Sequence, residues 1–156
     1  MSLTAPRSLS PSRVTAFTAC PLAFRLRSID RLPEPASPHA VKGTLVHTAL
    51  ERLMWTRPQG SRSPDAAREE VERAFDELRA SEEWAELALT AEAADDFVDD
   101  ARALVDNYFL VEDPDAVNPV GVELMIQADL GGLVLRGILD RLDMAEDGRL
   151  VVIDYK

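Results

Sequence analysis

The chain is 156 residues long and almost free of cysteine: Cys20 stands alone, which excludes an internal disulfide and suits a reducing compartment. Lysine is nearly as scarce. Of 17 basic residues, 15 are arginine and only Lys42 and Lys156 are lysine. No apolar run approaches the length of a membrane span, and the N-terminus lacks the apolar stretch of a secretory signal. The expectation is a cytoplasmic protein without a membrane partner. The rest is ordinary for a globular domain, with 46% hydrophobic and 29% charged residues. One domain of this length can bury a core without staples.

The net charge of −11 argues at first against a nucleic-acid partner. Its distribution softens that reading. Residues 65–115 hold 18 acids against four arginines, whereas residues 1–45 hold six basic side chains against Asp30 and Glu34. Arg13, Arg25 and Arg27 in that basic segment are candidate phosphate contacts, set against the commoner reading of scattered surface arginine.

Along the chain, Ser10-Pro11 signals a helix start, with Ser10 as cap and Pro11 at the first helical position. A break follows at Cys20-Pro21, and a second turn or helix covers 22–28. Residues 31–40 carry three prolines and read as an extended connector. The apolar spacing predicts a helix from Gly43 to about Trp55, burying Leu45, Val46, Ala49, Leu50, Leu53 and Met54. Further helices are expected over 64–80, capped by Ser63, and over 90–110, with Phe97, Ala101, Leu104, Val105 and Tyr108 facing the core. Trp55 and Tyr108 lie on apolar helix faces, so core packing is expected of both rather than base stacking.

The period then changes to two. Val120, Val122, Leu124 and Ile126 alternate with other residues as a half-buried strand would, Gly131-Gly132 signals a hairpin, and Asp147-Gly148 signals the next turn. Helices first and then a three-stranded antiparallel meander make an α+β pattern. The last strand ends Ile153-Asp154-Tyr155-Lys156, and alternation places Asp154 and Lys156 on one face. An acid and an ammonium closing an apolar run are costly to bury unless paired or holding an ion. Lysine here, in a chain otherwise biased to arginine, points to a need for a compact ammonium with a tunable pKa.

Counting outward from a two-residue loop at Gly131-Gly132 sets Glu123 opposite Asp140, and the second turn brings Asp140 beside Asp154 or Tyr155. A slip of one residue would reverse the faces. Glu123 stands open between a supporting group and an exposed strand residue. Taken alone, Asp140 could equally pair with Arg141 or Arg136. Glu51, one helical turn after His47, is left outside the site.

Five stretches carry a more specific signal. They are Ser10-Pro11-Ser12; Cys20-Pro21-Leu22-Ala23-Phe24; Gly43-Thr44-Leu45-Val46-His47 with Leu50-Glu51; Gly137-Ile138-Leu139-Asp140-Arg141-Leu142-Asp143; and Val152-Ile153-Asp154-Tyr155-Lys156. In order and approximate spacing they resemble the PD-(D/E)XK nuclease superfamily, in its RecB-like exonuclease family. The resemblance implies a restriction-endonuclease-like fold and a metal-dependent deoxyribonuclease acting in repair or recombination. It implies His47 as a metal ligand, Asp140 as the first acid and second ligand, and Asp154 as the second acid. The Tyr155 carbonyl would be a further ligand, and Lys156 would orient the attacking water or stabilise phosphate charge. The implied cofactor is Mg²⁺ or Mn²⁺, an imidazole ligand favouring Mn²⁺. The implied partners are DNA and a helicase or repair complex.

Three features set this chain apart. Leu139, not proline, precedes Asp140. The family fold continues with a helix carrying a Gln-x-x-x-Tyr motif and a further strand, and neither follows Lys156. The expectation is a C-terminally incomplete nuclease domain over 1–156, with a helical arm and linker over 1–42 and the core over 43–156. One uncovered sheet face would then weaken stability or invite intermolecular pairing. Thirdly, an iron–sulfur subset of the family uses a cysteine at the Cys20 position with three more near the C-terminus. A [4Fe–4S] cluster needs four thiolates, so Cys20 would serve one only if a longer chain supplied the other three. Two other readings remain: a nuclease-derived module that binds DNA or a helicase without cutting, and a helical interaction domain with an incidental strand-end cluster.

Overall fold

The computed structural model describes residues 8–155. In chain order the elements are β1 (Ser8–Leu9), α1 (Pro11–Ala19), α2 (Pro21–Phe24), a π-helical turn (Arg25–Ile29), α3 (Pro38–Thr56), α4 (Pro64–Leu78), α5 (Glu82–Glu86), α6 (Ala91–Val111), β2 (Pro119–Asp129), β3 (Val134–Met144) and β4 (Leu150–Ile153). Helices precede the main strands, and the architecture is α+β, consistent with a restriction-endonuclease-like fold. The chain divides into two compact units.

One unit joins the described residues of Met1–Glu34 to Leu124–Leu139. The Ser10 hydroxyl caps α1 by accepting from the Arg13 amide at 3.2 Å, and Cys20 is extended, which ends that helix before Pro21. The short strand β1 pairs in parallel with β3, Ser8 opposite Val134 and Leu9 opposite Leu135. This fourth strand was not foreseen: two residues are too few for a period to register. The hairpin tip is as expected, with the Leu130 amide donating to the Leu133 carbonyl at 2.9 Å. Both glycines between them have positive φ, 74° and 100°, which a residue without Cβ adopts at no steric cost.

The other unit, Pro35–Glu123 with Asp140 onward, holds the main core. α3 contributes Val41, Leu45, Ala49, Leu50, Leu53 and Met54; α4 contributes Ala67, Val71, Ala74 and Phe75; α6 contributes Phe97, Val98, Ala101, Val105 and Tyr108. Ser63 and Thr90 cap α4 and α6 through the Ala66 and Ala93 amides, both at 3.2 Å. Each such cap contributes about 1 kcal/mol. α3 begins at Pro38, five residues before Gly43: proline takes the first helical position as Pro11 does in α1, while the Ser37 side chain makes no capping bond. Arg62 is buried in this unit and donates to the carbonyls of Met54, Arg57, Pro114 and Val117 at 2.9 to 3.2 Å.

Three packing expectations need correction. Leu104 is 46% exposed, its place on α6 taken by Val98. Trp55 is 64% exposed at the end of α3. The alternation in β2 does not hold either, since Val120, Leu124 and Ile126 are exposed. The break falls at Glu123, whose φ is +48°. A left-handed residue within a strand disrupts the ladder locally and re-aims the side chains around it.

Candidate metal centre

Three side chains from three elements of the larger unit converge. His47 sits mid-way along α3, two residues from the buried Leu45 and Ala49, at the edge of the apolar stripe. Glu123 lies on β2 and Asp140 on β3. His47 Nδ1 is 3.6 Å from Asp140 Oδ1 and 3.8 Å from Glu123 Oε1. One ligand atom from each of the three lies within 4.8 Å of the others, the one such group among the described residues. All three are half-buried; the Asp140 side chain is the most enclosed, at 12% exposure.

The donor set suits a hard or borderline divalent cation. Cis ligands of an octahedral ion at ~2.1 Å stand about 3 Å apart. The two His47 separations exceed that by about 0.6–0.8 Å, within reach of side-chain rotation. Two carboxylates and an imidazole also match Mn²⁺ better than Ca²⁺, which prefers oxygen alone. The electrostatics of Glu123 point the same way. Burial, then the neighbouring charges of Asp140 and Glu51, push its carboxyl above the usual range, only partly offset by His47. Crowded anions of this kind are relieved by a cation. Glu51, left aside on sequence grounds, thus acts on the site through its charge.

Asp140 is held by more than its strand. Its Oδ2 accepts the Tyr155 amide at 2.7 Å, while Oδ1 is the oxygen nearest His47. Of the Tyr155 expectation the structure therefore records a backbone contact to Asp140, made by the N–H. Arg141 does not pair with Asp140; strand alternation turns it to Glu112 and Asp143. Asp154 is exposed and is not among the three converging residues, since β4 ends at Ile153 just before it. Lys156 lies outside the described residues. Cys20 is exposed, and it is the only cysteine of the chain.

On the face of β3 opposite Asp140, Arg141 is fully buried among polar groups. It makes a two-pronged ion pair with Glu112, the Nη2 to Oε2 arm at 2.9 Å, and donates to Asp143 Oδ2 at 2.9 Å. Nη1 also donates to the hydroxyls of Tyr155 at 2.8 Å and Tyr108 at 3.1 Å. Burial opposes charge on Glu112, yet hydrogen bonds from Arg141 and Tyr108 outweigh it and hold the carboxyl below the usual range. Burial pushes the Tyr155 hydroxyl up to about 12, so it stays protonated.

The family model for the PD-(D/E)XK nuclease superfamily matches residues 8–156. A search of curated proteins finds no match to the chain.

Proposed function

The chain belongs to the PD-(D/E)XK nuclease superfamily, and from that premise we propose that it is a divalent-metal-dependent DNA nuclease of the RecB-like kind, an exonuclease serving repair or recombination. The observation that carries this reading is the convergence of His47, Glu123 and Asp140 from one helix and two strands. Those three residues hold Mg²⁺ or Mn²⁺ in this reading. The bound ion would supply charge neutralisation at the phosphodiester and a more acidic water.

The residues of the chain do the rest. Tyr155 fixes Asp140 by occupying Oδ2, so that Oδ1 is presented to the cation. His47 contributes a neutral donor, its ring edge steadied against the Tyr155 ring at 5.9 Å. Lys156 orients the attacking water and stabilises phosphate charge, and Asp154 serves as the second acid of the motif. Water oxygen bonds to phosphorus in line with the leaving oxygen and gives up a proton to solvent, the P–O bond opposite breaks, and the departing alkoxide takes a proton from solvent. No covalent enzyme intermediate is formed.

The test is cleavage of end-labelled single- and double-stranded DNA with Mn²⁺ or Mg²⁺. The proposal expects a ladder or mononucleotides only with metal, and loss of product in Asp140→Ala and Lys156→Ala. Activity that survives both substitutions rules the assignment out. Tight DNA binding without product would instead favour a module that binds and does not cut.

A further inference from the structure

We propose that Arg141 is a positioning residue for the metal centre: its buried guanidinium anchors Tyr155, and Tyr155 in turn sets the Asp140 carboxylate and the His47 ring. The inference rests on the metal reading given above and names the part of the fold that makes the site rigid.

The first step is what does not hold Tyr155. Strand pairing ends at Ile153, opposite Arg141, so among the described residues no ladder bond fixes Tyr155. The position of its backbone must come from elsewhere. Its hydroxyl accepts from Arg141 Nη1 at 2.8 Å, its ring meets that of Tyr108 edge-on at 5.8 Å, and the guanidinium carbon sits 5.7 Å from its centroid. The second step is what Tyr155 touches. Its amide donates to Asp140 Oδ2 at 2.7 Å and its ring stands edge-on to His47 at 5.9 Å. Two of the three converging donors therefore lean on one residue, and that residue leans on Arg141.

The third step is the cost of the arrangement. Taking a guanidinium and two carboxylates out of water is expensive, and an apolar cluster of the same volume often serves stability as well or better. Arg141 is nonetheless fully buried between Glu112 and Asp143. Its donors are almost all engaged; only Nε, 2.9 Å from Asp143 Oδ1, lacks a well-aligned hydrogen bond. A planar fork with fixed donor directions defines one orientation for each partner, which neither lysine nor an apolar side chain does. Geometry, more than stability, accounts for arginine here.

The experiment titrates the chain with Mn²⁺ alone, following free ion by EPR, alongside the bound-ion spectrum at saturation. Tyr155→Phe keeps the ring and the backbone amide and removes only the hydroxyl anchor. Arg141→Lys keeps the charge and removes the fork. Circular dichroism and melting establish that each variant is folded. The expectation is a 10- to 100-fold weaker Mn²⁺ affinity in both, the range for groups that orient ligands, with a broadened bound-ion spectrum. Should Arg141→Lys not fold, Tyr155→Phe alone carries the decision. Wild-type affinity and an unchanged spectrum in a folded Tyr155→Phe overturn the positioning role and leave the metal site standing. Equal Mn²⁺ binding by wild type and Asp140→Asn overturns the metal site itself, and the positioning role with it.

Discussion

Glu123 offers the sharpest test of which acids hold the cation. Its Oε1 lies 3.8 Å from His47 Nδ1, whereas the Asp154 side chain is exposed and outside the converging group. Glu123→Gln preserves shape and one oxygen and removes the charge. With Mn²⁺ at ~100 times its dissociation constant, mass action stabilises the wild type by about 2.7 kcal/mol. For a domain of 156 residues, at ~2–4 °C per kcal/mol, that is a rise in Tm of about 5–11 °C. Groups that merely orient a ligand cost up to ~100-fold in affinity, so loss of a charged ligand costs at least that. The variant's dissociation constant then reaches the working concentration, leaving about 0.4 kcal/mol, or ~1 °C.

The metal-free baseline moves the other way. Because burial and the charges of Asp140 and Glu51 raise the Glu123 carboxyl in the fold, its ionised form destabilises the metal-free protein. Stability gained by protonating it is complete below the ordinary glutamate range and lost as pH rises through the raised value. Glu123→Gln should therefore melt higher than wild type at neutral pH without metal, and lower with it. Differential scanning fluorimetry with and without Mn²⁺ reads both. A variant that keeps the full metal-induced rise, while Asp154→Asn loses it, refutes Glu123 as the ligand and restores Asp154.

Three further outcomes follow from the same structure. Arg62→Met strips charged donors from four backbone carbonyls, among them Met54 near the end of α3; at ~1.5–3 kcal/mol for each bond to a charged group, partly recovered as water reaches the freed carbonyls, a loss of at least about 3 kcal/mol is expected in urea unfolding. Gly43 lies inside α3 with open space where a Cβ would stand; Gly43→Ala should stabilise the helix by about 0.5–1 kcal/mol without altering Mn²⁺ affinity. Glu112 has its carboxyl held low by Arg141 and Tyr108. Its contribution is present above the ordinary glutamate range and lost as pH falls through the lowered value, so an acid melting series should be flatter in Glu112→Gln than in wild type.

Much of the fold was legible because helix punctuation is local. Ser10-Pro11 and Ser63-Pro64 each place a hydroxyl where its helix begins, and each accepts the expected amide; Thr90, read only as the start of its helix, caps α6 in the same way. The apolar stripe of α3 is buried as its spacing requires, Val46 only in part. Failures arise where tertiary context decides. Leu104 has core spacing, but α6 is rotated so that Val98, Ala101 and Val105 form the buried line. Helix α5, five residues long and capped by the Ser81 hydroxyl, is too short to show a period. Ser37-Pro38 carried a start signal, obscured by two further prolines in the connector before it.

The site was legible as a cluster, with His47 and Asp140 in it and Glu123 left open. The turn closes at Leu130 and Leu133 as expected, and Glu123, Asp140 and His47 do meet. What no period reveals is the left-handed backbone at Glu123, with φ +48° in a strand. A residue with a Cβ held there costs about 1–2 kcal/mol, and such strain persists where the surrounding fold over-determines it. Glycine would remove the strain, and Gly121 shows that this strand tolerates glycine nearby. A carboxylate is retained instead, half-buried and crowded against Asp140 and Glu51. Backbone strain and charge repulsion on one residue both oppose folding. Both are offset if that carboxylate grips a cation, and neither finds any return if it does not.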